Sequence, residues 1–150
     1  MAFYDTEHQI RIREIETLWA SLHSLAELAE EHGIDDIFQD NGAKVLQQLI
    51  YLNMTILPGR EGNDAVSPSG TEWEMKSINL ETSASGFSTN HHTNHDIIKK
   101  YRQVHWTFAI YHGIKLTEMY VLTPDMLEPI YQHWEEKLKT MTHLNNPKIP

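Results

Sequence analysis

Residues 63–76 run NDAVSPSGTEWEMK, and the fold turns on how that stretch is paired. Ser67-Pro68-Ser69-Gly70 is a turn signal, with Ala65 and Val66 before it as a short strand. After it Glu72, Glu74 and Lys76 alternate with Trp73 and Met75, with Ile78 at or near the apolar parity, which is the two-residue period of a strand. This predicts a β-hairpin whose polar face carries the charges. Asp64, nine intervening residues and then Glu-x-Lys is a spacing that brings two carboxylates and an ammonium group to one point.

Toward the N-terminus, Met54 to Leu57 predicts a short strand and Pro58 to Gly62 a turn. A helix is expected over about Ala43–Asn53, after a turn rich in Asp, Asn and Gly in which Asp40 is ordinarily an N-cap or solvated residue. Before it, Ile15, Leu18, Leu22 and Leu25 recur at helical spacing, predicting an amphipathic helix over Thr6–Glu31 with Asp5 or Thr6 as cap and Gly33 as stop. Its pattern suits a helix that covers its own core, and its seam is also close to a dimer-forming repeat.

Toward the C-terminus, LETSASGFSTNHHTNH has no clear period, and loops of that length are often functional. Asn94 caps an expected helix over Asp96–Gln103. His105–Tyr111 and Lys115–Leu122 are strands joined by a hairpin-length link, the first apolar enough to be central. Thr123-Pro124 starts a helix to about Lys139, and a polar tail ends in Asn145-Asn146-Pro147-Lys148-Ile149-Pro150.

With 150 residues the chain suits one domain with a core. It has no cysteine, so it carries no disulfide framework and no thiolate metal site. No apolar run is long enough to span a bilayer, and Met1-Ala2-Phe3-Tyr4-Asp5 lacks the features of a signal peptide, so a soluble, unexported protein is expected. A net charge of −9 argues against a nucleic-acid partner, because phosphate binding normally leaves a basic footprint. Two features offset it: bound cations neutralise clustered carboxylates, and ten histidines gain charge as pH falls.

Hydrolysis of a phosphodiester needs an activated water, neutralised charge on a pentacovalent phosphorus, and a stabilised leaving oxygen. Mg²⁺ held by one or two carboxylates serves these needs, and Asp64 and Glu74 fit that donor set, with the Met75 carbonyl as a further oxygen. Lys76 leaves the same strand face as Glu74 and can reach the scissile phosphate. The other reading of the same residues is a solvated hairpin face with cross-strand ion pairs. Ser88, Thr89, Asn90, His91, His92 and Asn94 carry groups able to reach base edges, as do Asn145 and Asn146. Composition ranks the loop histidines as surface residues first, base readers second and transition-metal ligands third, because adjacent histidines splay apart and no carboxylate motif completes a ligand set.

HGIDDIFQDNGAK, LPGREGNDAV, EWEMKSIN, GFSTNHHTN, KYRQVHWTFAIYHG and NNPKIP occur in one order with nearly constant spacing from about His32 onward. In these segments the chain resembles type II restriction endonucleases of the PD-(D/E)XK nuclease superfamily. The resemblance implies an α/β fold with a central mixed β-sheet flanked by helices and an N-terminal dimerisation helix. It implies a single endonuclease domain, with about 5–52 helical and dimer-forming, about 53–79 catalytic and about 80–150 recognising DNA. Asp64 and Glu74 would bind Mg²⁺, Lys76 would be the catalytic lysine, and Glu61 and Tyr101 would support the metal. Asp40 would lie near the minor groove and connect recognition to catalysis, with Lys44 also toward DNA. Ser88, Asn90, His91, His92, Asn145 and Asn146 would face the bases.

The implied protein is a cytoplasmic bacterial homodimer that cuts both strands of double-stranded DNA at a palindrome, CAGCTG, to blunt ends. A cognate DNA methyltransferase is then an expected genetic companion. The chain departs from the pattern at Asn90, where a histidine is usual, at His95, where proline is usual, and by one inserted residue between Glu81 and Gly86. The rival readings are a sequence-specific DNA-binding protein that no longer cuts, and an acidic metal-storing protein that uses its histidines.

Overall fold

The hairpin forms, and a parallel strand completes it on its far side. The computed structural model describes residues 6–58, 63–82, 85–89 and 92–150. Its main sheet has five strands, β1 (Thr55–Ile56), β2 (Ala65–Val66), β3 (Glu72–Asn79), β6 (His105–His112) and β7 (Lys115–Leu122), in the order β1-β2-β3-β6-β7. Ala65 lies opposite Trp73 in the antiparallel β2–β3 hairpin. β3 and β6 run parallel with Glu74 opposite Trp106 and Lys76 opposite Phe108, and β6 and β7 are antiparallel. The sheet is therefore mixed. A parallel pair needs a crossover of a dozen or more residues, and the chain between β3 and β6 provides it with α3 (His95–Tyr101).

Two further ribbons form beside it. β4 (Phe87–Ser88) pairs with β9 (Lys148–Ile149), and β5 (His92–Thr93) pairs with β8 (Leu144–Asn145), both antiparallel. The remaining helices are α1 (Thr6–Glu31), α2 (Gly42–Leu52) and α4 (Pro124–Leu138).

The chain falls into two compact units, Met1–Gln47 and Gln48–Pro150. In the first, α1 has the expected bounds and stops at Gly33, whose φ of +82° is a left-handed C-terminal conformation. Its apolar stripe is largely open: Ile15 is 52 % and Leu18 63 % exposed, and Ala29 is its buried residue. The helix therefore does not bury its seam in the way a self-covering helix would.

In the second unit the core gathers on one face of β6. Trp106, Phe108, Tyr101, Ile98, Leu127, Tyr131, Trp134 and Leu138 pack with Leu144 and Ile149, so α3, α4 and the two C-terminal strands share one apolar cluster. Tyr101 meets Trp106 edge to face at 4.8 Å between ring centroids. On the opposite face, the buried Thr107 hydroxyl donates to Gln48 Oε1 at 2.9 Å. Arg102 ties α3 to α4 by donating to both Glu128 and Glu135.

The structure corrects two sequence readings. The face of β3 that carries Glu74 and Lys76 is not solvated, because its register sets it against Trp106 and Phe108; Glu74 is only 5 % exposed. The loop and the polar tail are not separate irregular segments, since each supplies strands to the other. Thr123 and Pro124 start α4 as expected, Thr123 in the extended N-cap conformation without a side-chain capping bond. Asn94 does cap α3, its side chain accepting from Ile97 N. Among the described residues no helix is long and apolar enough to cross a membrane.

Candidate active site and nucleic-acid interface

Asp64 precedes β2, and Asp64 N donates to Trp73 O at 2.9 Å, which fixes the residue against β3. Its carboxylate Oδ2 then accepts from Met75 N at 2.7 Å. Asp64 is thereby held beside the strand segment Glu74-Met75-Lys76. Glu74 and Lys76 project from one face of β3, and Lys76 Nζ lies 2.6 Å from Glu74 Oε1. The Lys76 ammonium also sits 5.8 Å from the Trp106 ring centroid. Two carboxylates and a lysine therefore meet at the end of the hairpin, as the spacing implied.

The electrostatics follow from burial. Desolvation raises the Glu74 carboxyl above the ordinary carboxylate range; Lys76 opposes this and Asp64 adds to it. Burial likewise raises the Tyr101 phenol, reinforced by the negative charge of Glu74. The Tyr101 hydroxyl is buried and has no hydrogen-bond partner among the described residues.

The donor set suits a hard cation. Among the described residues no group of three or more His, Asp or Glu is placed to hold a metal ion. Asp64 and Glu74 alone match a Mg²⁺ site, which takes one or two carboxylates and fills the rest with water and phosphate oxygens. The backbone carbonyl of Met75 is a third available oxygen.

Of the expected reading residues, Ser88, His92 and Asn145 lie on the ribbons. Ser88 pairs with Lys148 and His92 with Asn145, while Thr89 N donates to Pro147 O at 3.2 Å. Residues 87–89 thus run alongside 147–149 and residues 92–93 alongside 144–145, and Asn146, with a φ of +42°, turns between β8 and β9. Buried Leu144 and Ile149 anchor this segment in the core, leaving His92 and Asn145 exposed. Gly86 allows the close approach, because a Cβ there would lie 2.9 Å from Ile149 O.

Asp40 and Lys44 belong to the N-terminal unit, Asp40 with a φ of +49° ahead of α2 and Lys44 in its first turn. Glu61, Asn90 and His91 lie outside the described residues. Residues 143–149 form a larger part of the candidate interface than the Asn pair that drew attention in the sequence. Apolar Leu144 and Ile149 on either side of the turn signal Asn146-Pro147 were the available cue.

A mixed sheet flanked by helices, with an Asp, a Glu and a Lys gathered at one hairpin, is the architecture of a PD-(D/E)XK nuclease domain. The family model described as Restriction endonuclease PvuII matches residues 10–150, and the chain belongs to that family. It is accordingly a type II restriction endonuclease, a hydrolase that acts on DNA.

Proposed function

We propose that the protein is a Mg²⁺-dependent homodimer that hydrolyses both strands of duplex DNA at CAGCTG, leaving blunt ends. The observation that carries this reading is the meeting of Asp64, Glu74 and Lys76 at the β2–β3 hairpin. Mg²⁺ on Asp64 and Glu74 would supply a lowered pKa for bound water and charge neutralisation at phosphorus. Asp64, fixed by Met75 N, presents its carboxylate without a rearrangement of the hairpin. Lys76, withdrawn from water against Trp106, supplies positive charge where the transition state becomes more negative. Exposed His92 and Asn145, side by side on β5 and β8, would contact bases together with Ser88, Asn146 and His91.

The homodimer is supported by the open seam of α1, whose Ile15 and Leu18 are more than half exposed. Cutting both strands of a palindrome requires two related sites, which a twofold dimer supplies. Asp40, Glu61 and Tyr101 carry the supporting roles that the family resemblance implies, and Asp40, Lys44 and Asn90 face the DNA. A cognate methyltransferase would protect host DNA.

Incubation with plasmids that carry or lack CAGCTG, with and without Mg²⁺, tests the reading. Discrete blunt-ended fragments from the first plasmid alone, and with Mg²⁺ alone, are expected. Fragments ending elsewhere overturn the assigned sequence. Binding with Ca²⁺ but no cleavage with Mg²⁺ would identify a non-cutting DNA-binding protein.

A further inference from the structure

The antiparallel register of β5 and β8 sets His92 opposite Asn145 and Thr93 opposite Leu144. Residues opposite each other share a face, and so do residues two apart along one strand. His143 therefore lies on the face of Asn145 and His92, diagonal to His92. Thr93 and Leu144 alternate into the core, at 0 % and 7 % exposure, so the register of this face is pinned from beneath. The His92 and His143 rings meet edge to face, 4.9 Å between centroids and 84° between planes. His143 Nδ1 lies 3.2 Å from the Thr142 hydroxyl, which orients the second ring in turn.

We propose that His143 is a positioning residue for base recognition: it holds the His92 imidazole in the orientation that meets a base edge. The proposal rests on the reading of His92 as a base-contacting residue. A hydrogen bond to a base edge is directional, and an exposed imidazole on a two-residue strand has few constraints of its own. A perpendicular ring against its side removes part of that freedom before DNA arrives, which is the general advantage of a preorganised reader. Edge-to-face pairs of this kind are worth a few-fold to about tenfold in an equilibrium.

The test measures single-turnover cleavage of a duplex carrying the site found by plasmid digestion, and of every single-base-pair variant of it. His92→Ala, His143→Ala, His143→Gln, His143→Phe and the double variant His92→Ala/His143→Ala are compared with the wild type, after melting curves establish that each is folded. His92→Ala is expected to lose discrimination at one base-pair position. His143→Ala and His143→Gln should lose about threefold to tenfold at that same position, His143→Phe should restore it by keeping the ring, and the double variant should be no worse than His92→Ala.

Wild-type discrimination in His143→Ala overturns the proposal. So does an equal loss at every position, failure of the phenylalanine to rescue, or additive losses in the double variant. If His92→Ala discriminates like the wild type at every position, base reading by His92 fails, and the inference fails with it. An effect of His92→Ala without one of His143→Ala rejects the inference alone.

Discussion

Lys76 Nζ lies 2.6 Å from Glu74 Oε1, with the lysine side chain 12 % and the glutamate 6 % exposed. The residue expected to stabilise the transition state therefore rests on a residue expected to hold the metal. Each keeps the other's charge satisfied in a place largely closed to water.

Lys76→Ala should lower the cleavage rate by at least about 10²-fold, the scale of losing one charge-stabilising group. Duplex binding in Ca²⁺ should be retained, because the proposed base contacts lie on β5 and β8. Single-turnover cleavage and gel shift measure the two effects separately. A near-normal rate removes Lys76 from the chemistry.

Glu74 gives a pH dependence with a defined sign. Its folded pKa is raised above the ordinary 4.5 by burial, so the folded chain holds this proton more tightly than the unfolded chain. That contribution to stability is fully present below about 4.5 and is lost as pH rises through the folded value. A cation on the ionised pair restores it. Millimolar Ca²⁺ should therefore raise the melting temperature more at pH 8 than at pH 5, and Asp64→Asn or Glu74→Gln should remove the shift. Equal shifts at the two pH values would contradict the assignment.

Arg102 acts in the opposite direction. Its hydrogen bonds hold the Glu128 and Glu135 carboxyls below the usual range. The stability they contribute is present above the unfolded carboxylate pKa and is lost as pH falls through the folded values. Arg102→Gln should lower the melting temperature at pH 7 and shrink the further loss between pH 5 and pH 3. Urea or thermal melts at three pH values check this. An unchanged acid profile would show that the pairs are too solvent-screened to matter.

Gly86→Ala should loosen the loop–tail ribbon. The residue has a φ of +156°, and its new Cβ would press on Ile149 O. A cost on the order of 1–3 kcal/mol is expected, with faster amide exchange at Phe87 and Ile149 and little change in β3 or β6. Uniformly faster exchange would mean that the ribbon is not a separate unit of stability.

How far the sequence carried depended on the range of each contact. α1 was legible because three turns of apolar spacing need no partner to be recognised, and Asn94 because its capping bond reaches only to Ile97. The Asp64–Glu74–Lys76 group was legible for the same reason, being set by a local hairpin. The alternation of β3 was also visible, but alternation cannot say which side is solvent when both faces are covered. The two-residue strands β4, β5, β8 and β9 have no period to detect, and their partners lie more than fifty residues away. His143 was missed because its importance comes only from that distant pairing.

The two halves of the site also differ in when they can exist. The catalytic hairpin closes between Ala65 and Trp73, whereas the ribbon joins Phe87 to Ile149 and must await chain on the far side of α4. Loop-closure entropy makes the short contact the easier one to form and the long one the slower. A chain in which the hairpin has closed and the ribbon has not would hold the carboxylates and the lysine without the surface proposed to choose a sequence. For an enzyme that cuts DNA, the order of assembly thus becomes part of its fidelity.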